Sequence, residues 1–560
     1  MNSESAPNAT PATSGWHHTS TYRLIRWLTR PRLLRLAALT VVWAVTLVAL
    51  AYGIANWRGQ RAWVRERQSL LDRNIPVDFA AVIPKPVPDD RNFGATPFVQ
   101  SWFQFTNRPA DSFWNDTYSR ATHLVPGLPV THTQRWTDLG GWAGAMTYVA
   151  TNPPPDPDKP HLRLRRPDGG LPAFSSRAAA GAAVLREFES AGSWRQDLEE
   201  ALRRPEARYP VQYHLKDPWG ILLPHLATVK SLCNRLALRA SAGIATHRSE
   251  EALDDVLLIL SLGQTLDTEP FLISYLVQLA CWQILIEPVW EGLELRAWTP
   301  EQLVVLEQRL ADIHTLPGLE RALQTERTAA FLTADLLASG DYRYGMLMEA
   351  NNGSLDPGAP SELALRFVER IIPSGWLHRE KVEYSRLLDA WIQGGWDPDR
   401  RRIHPEILEA NRRRLEDELG VEVATAGEWM WGGAIPPRAA SQLLRHRSLA
   451  PMLLRELPKL PPKAAAAQVL VDQARLACAI ERYRIAESQL PRDLDALVPR
   501  FLAAVPLDPI TGRAYLYRSG DDGGFQIISP GWNERDDGGV PGRSRFDVEE
   551  GDWVWTTSTP

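Results

Sequence analysis

The sequence predicts a mainly α-helical protein: a single N-terminal transmembrane helix, a helical-hairpin (α-solenoid-like) body and a small C-terminal α+β module. Three observations predict it. Leu36–Trp57 is a run of 22 residues without a charge. From about residue 176 the apolar residues recur at the 3.6-residue spacing of amphipathic helices. After about residue 463 short strand-like runs alternate with glycine-rich turns. The composition agrees. At 560 residues, with 44% hydrophobic and 23% charged, the chain is neither disordered nor a polytopic membrane protein. A net charge of −5 supplies no basic field, so no nucleic-acid partner is expected. The 44 prolines are roughly 8% of the chain against about 5% in average usage, which shortens or separates its helices.

Residues 1–35 read as a polar, basic tail. Residues 36–57 form the membrane span, since 22 residues at ~1.5 Å each exceed the ~30 Å hydrocarbon core. Tyr52 and Trp57 near one end suit the interface. Arg23, Arg26, Arg30, Arg32 and Arg35 precede the span, and Arg58, Arg61, Arg65 and Arg67 follow it. The slight excess on the first side places the tail in the cytoplasm and the bulk of the chain outside. Ala49-Leu50-Ala51 resembles a signal-peptide cleavage site, but the apolar run continues past it, so an uncleaved anchor is expected.

Residues 58–175 read as a juxtamembrane helix to about residue 75, then a Pro- and Trp-rich irregular segment of extended pieces, turns and a few short strands. Pro84, Pro86, Pro88 and Pro97 argue against helix there.

Residues 176–456 are the helical-hairpin domain. The spacing predicts helices over Ala178–Glu189, Pro224–Ala242, Ser249–Leu266, Pro270–Leu293, Pro300–Ile313 and Pro317–Ala338. Thr299 and Gln302 frame a capping-box-like start with Pro300 at the first helical position. Further helices are expected over Ser361–Ile372, Glu380–Ile392 and His404–Leu419, with loops at Gly394–Trp396 and Gly427–Pro437. Short connections favour antiparallel neighbours, and stacked helix pairs present extended binding surfaces. Pro270–Ile286 is uncharged for 17 residues, but Ser274, Gln278 and Gln283 within it favour a buried core helix over a second span.

Leu457–Pro462, with three prolines, is the expected boundary before the module at 463–560. There a helix over Ala464–Ala486 precedes a short helix over Asp493–Val498, strands over Ala514–Arg518 and Phe525–Ser529, and a last strand over Asp552–Trp555. Asp521 and Asp522 lie in the hairpin turn.

The order of Ala479, Tyr483, Arg484, Pro491, Leu497, Asp508, Pro509, Tyr515 and Tyr517 resembles the globular part of type II secretion major pseudopilins. The resemblance covers about 463–555 and implies a helix packed on a small antiparallel sheet. It departs from that family upstream: the apolar helix lies far from the module, with no preceding Gly-Phe and no early Glu, so pilus-type processing is not expected. The whole chain also resembles a group of uncharacterised membrane-anchored bacterial proteins that carry a P-D-D-x-N-F stretch, here Pro88–Phe93.

Candidate sites are few. In the pseudopilin fold an acidic loop binds calcium, and Asn533, Asp536, Asp537 and Asp547 are the matching oxygen donors here. The alternative is a turn whose carboxylates serve the backbone. No other cofactor is implied. Cys233, Cys281 and Cys478 read as buried thiols, and Glu250-Glu251 and Asp254-Asp255 as solvated helix faces. The 22 tryptophans are expected to fill irregular packing. No H-E-x-x-H, G-x-S-x-G or Walker A pattern occurs, so no catalytic residue is assigned. The expectation is a non-catalytic exoplasmic scaffold or adaptor for protein partners, possible neighbours being a secretion or pilus-like assembly. The alternatives are an exoplasmic enzyme with a site formed only on folding, and a calcium-responsive envelope sensor.

Overall fold

The computed structural model describes residues 31–104, 116–124, 134–152, 167–214, 216–341, 372–419, 445–447, 449–454, 457–520 and 523–557. The expected helix over 361–372, apart from its last residue, lies outside them, as do the 427–437 loop and the turn residues Asp521 and Asp522. In chain order the helices are α1 (Pro31–Asp72), α2 (Pro97–Ser101), α3 (Thr117–Ala121), α4 (Leu139–Thr151), α5 (Arg177–Glu189), α6 (Trp194–Leu202), α7 (Pro224–Ala245), α8 (Ser249–Gln264), α9 (Leu272–Glu294), α10 (Pro300–Ala311), α11 (Leu316–Ser339) and α12 (Ser374–Ile392). A two-residue pair, β1 (Trp396–Asp397) and β2 (Arg402–Ile403), precedes α13 (Pro405–Leu419), α14 (Ala450–Leu453) and α15 (Leu460–Glu487). Strands β3 (Leu516–Ser519), β4 (Phe525–Ser529) and β5 (Trp553–Thr557) follow. The protein is mainly helical, as its periodicity predicts.

The expected span and juxtamembrane helix are one unbroken helix, α1, of 42 residues. Its apolar half is bare: Val41, Trp43 and Leu47 are 60%, 65% and 61% exposed. α1 is long and apolar enough to cross a membrane, and none of its apolar window is buried against protein. Its basic half packs along α12. Gly59 and Gly375 meet there so closely that a Cβ on Gly59 would lie 2.0 Å from the Gly375 carbonyl oxygen.

The irregular segment departs from expectation. Pro97 does not exclude helix; it opens α2 in the first turn, where proline lacks only a surplus N–H, and the Thr96 hydroxyl accepts the Val99 N–H at 3.4 Å. α4 was not foreseen. Its sequence, LGGWAGAMTYVAT, holds three glycines, each costing ~1 kcal/mol of helix propensity against alanine. Burial overrides that cost, because Trp142, Ala143, Met146 and Val149 all pack inside. Asp138 caps the start by accepting the Gly141 N–H at 2.8 Å. The Pro88–Phe93 stretch is stitched to 204–209: Asn92 Oδ1 accepts the amides of Gly94 and Arg208 at 3.0 and 2.7 Å, and the Phe93 amide donates to the Glu206 carbonyl at 2.8 Å. Phe93 then sets its ring edge-on to Trp102 and Tyr209.

In the body, α7 packs on α8 and both pack on α9. The Thr299–Gln302 capping box forms reciprocally at α10, with Pro300 at its start. α11 ends at Gly340, whose φ of +77° suits a residue without Cβ. α9 is a core helix: Ser274, Tyr275 and Gln278 are buried, and it touches α7, α8, α11 and α15. The Asp254-Asp255 reading is corrected at Asp255, which is fully buried and paired with Arg195 at 2.8 Å and Arg239 at 3.0 Å. Burial pushes its carboxyl up to about 6 against the pull of those arginines. The three cysteines are free and buried.

At Leu457–Pro462 a 3-10 turn runs straight into α15, whose early prolines sit where helix amides need no partner. One side of α15 packs on α10 and α9; another packs on β4 and β5. The sheet is antiparallel in the order β3-β4-β5. Gln473 pins helix to sheet, donating Nε2 to the carbonyls of Ile527 at 3.1 Å and Trp553 at 2.7 Å. Tyr515 donates its hydroxyl to Asp472 at 3.2 Å, and Asp508 accepts the Ile510 amide at 2.7 Å to close the preceding turn.

Candidate functional site

The sequence run after β4 builds one wall of a wide groove. Gly531 takes a φ of +73°, which L side chains disfavour, and so turns the chain. Trp532 thereby reaches α13 and donates its indole Nε1–H to Glu409 at 3.4 Å. Glu409 also accepts from Arg412 Nε at 2.9 Å, and Arg412 Nη1 reaches Glu416 at 2.5 Å. These i, i+3 and i, i+4 pairs line one face of α13, the opposite wall. The start of α15 closes an end and Gln283 of α9 contributes to the floor.

The groove encloses about 1110 Å³. Five carboxylates (Glu406, Glu409, Glu416, Glu534, Glu549) share it with five cations (Arg412, Arg413, Lys459, Lys463, Arg535). Trp532, Phe546 and Val548 add apolar surface. A balanced set of this kind has no net pull on a polyanion, whereas it offers a polypeptide alternating partners for either charge.

Asn533, the first of the four expected metal donors, lies on this wall. Its Nδ2 donates to Asp537 Oδ2 at 3.3 Å, and its Oδ1 accepts the Arg535 amide at 3.0 Å. Asp536 accepts the Gly538 amide at 2.9 Å, and Asp537 accepts the Gly551 amide at 3.0 Å. Asp547 accepts the Glu549 amide at 2.9 Å and pairs with Arg543 at 3.3 Å, which hold its carboxyl below the usual range. Sequence reasoning passed over Asp552, a fully buried residue that accepts the Asp537 and Gly539 amides at 3.1 and 2.6 Å. The structure thus joins Asn533 to Asp537 and engages each of the four with backbone amides, as Asx turns at Asn533, Asp536 and Asp547 and across the loop to Gly551 at Asp537. Among the described residues no three His, Cys, Asp or Glu side chains converge as a metal shell.

One to two turns along α9 from Gln283, at Glu287 and Glu291, lies a buried ionic cluster. Glu291 accepts the Thr137 amide at 2.5 Å and Arg177 Nη2 at 2.6 Å. Burial pushes the neighbouring Glu287 carboxyl up, and Glu291 pushes it further. The Arg545 guanidinium lies over the Trp555 ring and donates to Gln473 at 3.3 Å. A second cluster, His225 beside Glu269 at 3.5 Å with Ser274 at 3.2 Å from the same carboxylate, is sealed under Phe103 and Tyr209. Such enclosed sets fasten elements together; a substrate has no route to His225, which is fully buried.

In comparison with known proteins, no family model, no curated protein and no solved structure matches the chain.

Proposed function

We propose that the chain is a non-catalytic scaffold or adaptor, tethered by Leu36–Trp57 in a bacterial inner membrane. In this reading residues 1–35 lie in the cytoplasm and the body stands on the exoplasmic side. The body is an α-solenoid-like array of helical hairpins, closed by a pseudopilin-like module. The groove between α13, α15 and the 532–549 loop receives a protein partner, in the setting of a secretion or pilus-like assembly.

The groove's composition is the observation that carries this reading. Its size suits a polypeptide segment, its equal complement of acids and bases favours a mixed-charge chain over phosphate, and Trp532 supplies an aromatic anchor of the kind enriched in protein interfaces. The tether supports it: α1 continues without a break into its seam with α12, so the body is held at a fixed distance from the apolar run.

The test is a photo-crosslinking amino acid placed at Arg413 in the groove and, separately, at Arg492, an exposed residue of the C-terminal module. Irradiation of whole cells is expected to give a discrete protein adduct from position 413 and none from 492. Absence of any adduct at 413, together with turnover of a substrate by the purified chain, overturns the reading in favour of an enzyme.

A further inference from the structure

A second cavity, of about 410 Å³, lies against the first turns of α9. It is walled by apolar side chains from separate segments, among them Phe79, Trp219, Phe271, Leu276 and Met452. Its volume falls within the ~300–1,000 Å³ of small-molecule sites. One ionisable side chain lines it among the described residues: Glu326 of α11.

Glu326 makes no hydrogen bond or ion pair with any described residue. Of the groups around it, the Tyr384 hydroxyl is buried without a hydrogen-bond partner and lies within reach of its charge, and the others are committed elsewhere. The Trp219 indole donates to Thr333 at 2.8 Å, and the Thr325 hydroxyl to the Arg321 carbonyl at 3.0 Å. The adjacent Arg327 is turned to Ser385, at 2.8 Å, and to Asp389. Burial alone pushes the Glu326 carboxyl up to about 7. The half-buried Glu326 carboxyl thus lines an apolar recess with no ion-pair partner among the described residues. A cation entering the recess would supply the missing partner.

We propose that this cavity binds a small organic amine with an apolar, aromatic-sized body, its ammonium paired with Glu326 and its body packed among Trp219, Phe271 and Leu276. The site is separate from the groove and does not depend on the partner reading.

The test uses the full chain in lipid nanodiscs, with tryptamine as probe and 3-ethylindole, the same body without the amine, as its comparison. Tryptamine is expected to bind saturably, and 3-ethylindole about tenfold or more weakly, the difference a charged hydrogen bond makes. Glu326→Gln is expected to bring tryptamine to the level of 3-ethylindole, with the unfolding midpoint retained. Leu276→Trp, which fills the wall, is expected to abolish binding of both. Equal binding of the two compounds to the unaltered protein, undiminished tryptamine binding by Glu326→Gln, or no saturable binding at millimolar tryptamine each overturns the proposal.

Discussion

The Gly375 amide of α12 donates to the Asn56 side-chain oxygen of α1 at 2.8 Å, so the last turn of the apolar run caps the helix that carries the body. The Ser374 hydroxyl donates to the same oxygen at 3.3 Å. α12 has no side-chain cap of its own, since Pro373 precedes it. The Gly59–Gly375 contact lies one turn further along α1, so capping and close packing act at one seam.

Asn56→Ala removes an acceptor from a helix start that has no other side-chain cap. The expected loss is about 1 kcal/mol, read as a lower unfolding midpoint of the body in nanodiscs. A midpoint equal to that of the unaltered protein would show that water replaces the contact.

Gly59→Leu places a side chain where the Gly375 backbone lies. Overpacking of this sort costs about 1–3 kcal/mol, and backbone cannot yield as a flexible side chain can. Limited proteolysis after Asp72, at the end of α1, is expected to quicken. Substitution at Gly53, which has nothing within 4 Å of a Cβ position, is expected to leave the cleavage rate unchanged.

Asp472 provides a pH dependence. Burial pushes its carboxyl up to about 7, outweighing Arg475 and the bonds from Gln468 and Tyr515, with Asp508 adding to the rise. The folded state therefore binds this proton more tightly than the unfolded state, whose carboxyl titrates near the usual ~3.9. Stability from this group is full below about pH 4 and falls as pH rises through about 7. Asp472→Asn is expected to flatten the decline of the unfolding midpoint across that window. A slope unchanged by the substitution contradicts the assignment.

Arg413→Glu upsets the groove's charge balance without touching the Glu409–Arg412–Glu416 pairs. Partner capture is expected to weaken by about tenfold, while the unfolding midpoint moves by less than ~0.5 kcal/mol equivalent, as for an exposed surface change. Unaltered capture means that the partner binds elsewhere.

Much of the helical body could be read from local chemistry. Pro224 and Pro300 mark starts because their missing amides are not needed there, and the Thr299–Gln302 box signals the same thing from side chains. α4 was hidden because Gly140, Gly141 and Gly144 argue against helix locally, whereas its stability comes from packing against α3 and α5. Asp255 looked solvated because its arginine partners stand on other helices, Arg195 60 residues away and Arg239 16. The groove and the Glu326 cavity join residues from segments hundreds of positions apart, a relation that spacing along the chain does not carry. The 533–537 run was visible as acidic, but the acceptor of its Asp537 amide is Asp552, which only folding brings beside it.

Protease accessibility in spheroplasts addresses the central claim most directly. With the chain tagged at its C-terminus, external protease is expected to degrade everything beyond α1 in intact spheroplasts, while alkaline extraction leaves the uncut chain in the membrane pellet. A body protected until the spheroplasts are lysed, or a chain released wholly into the soluble fraction, contradicts the account.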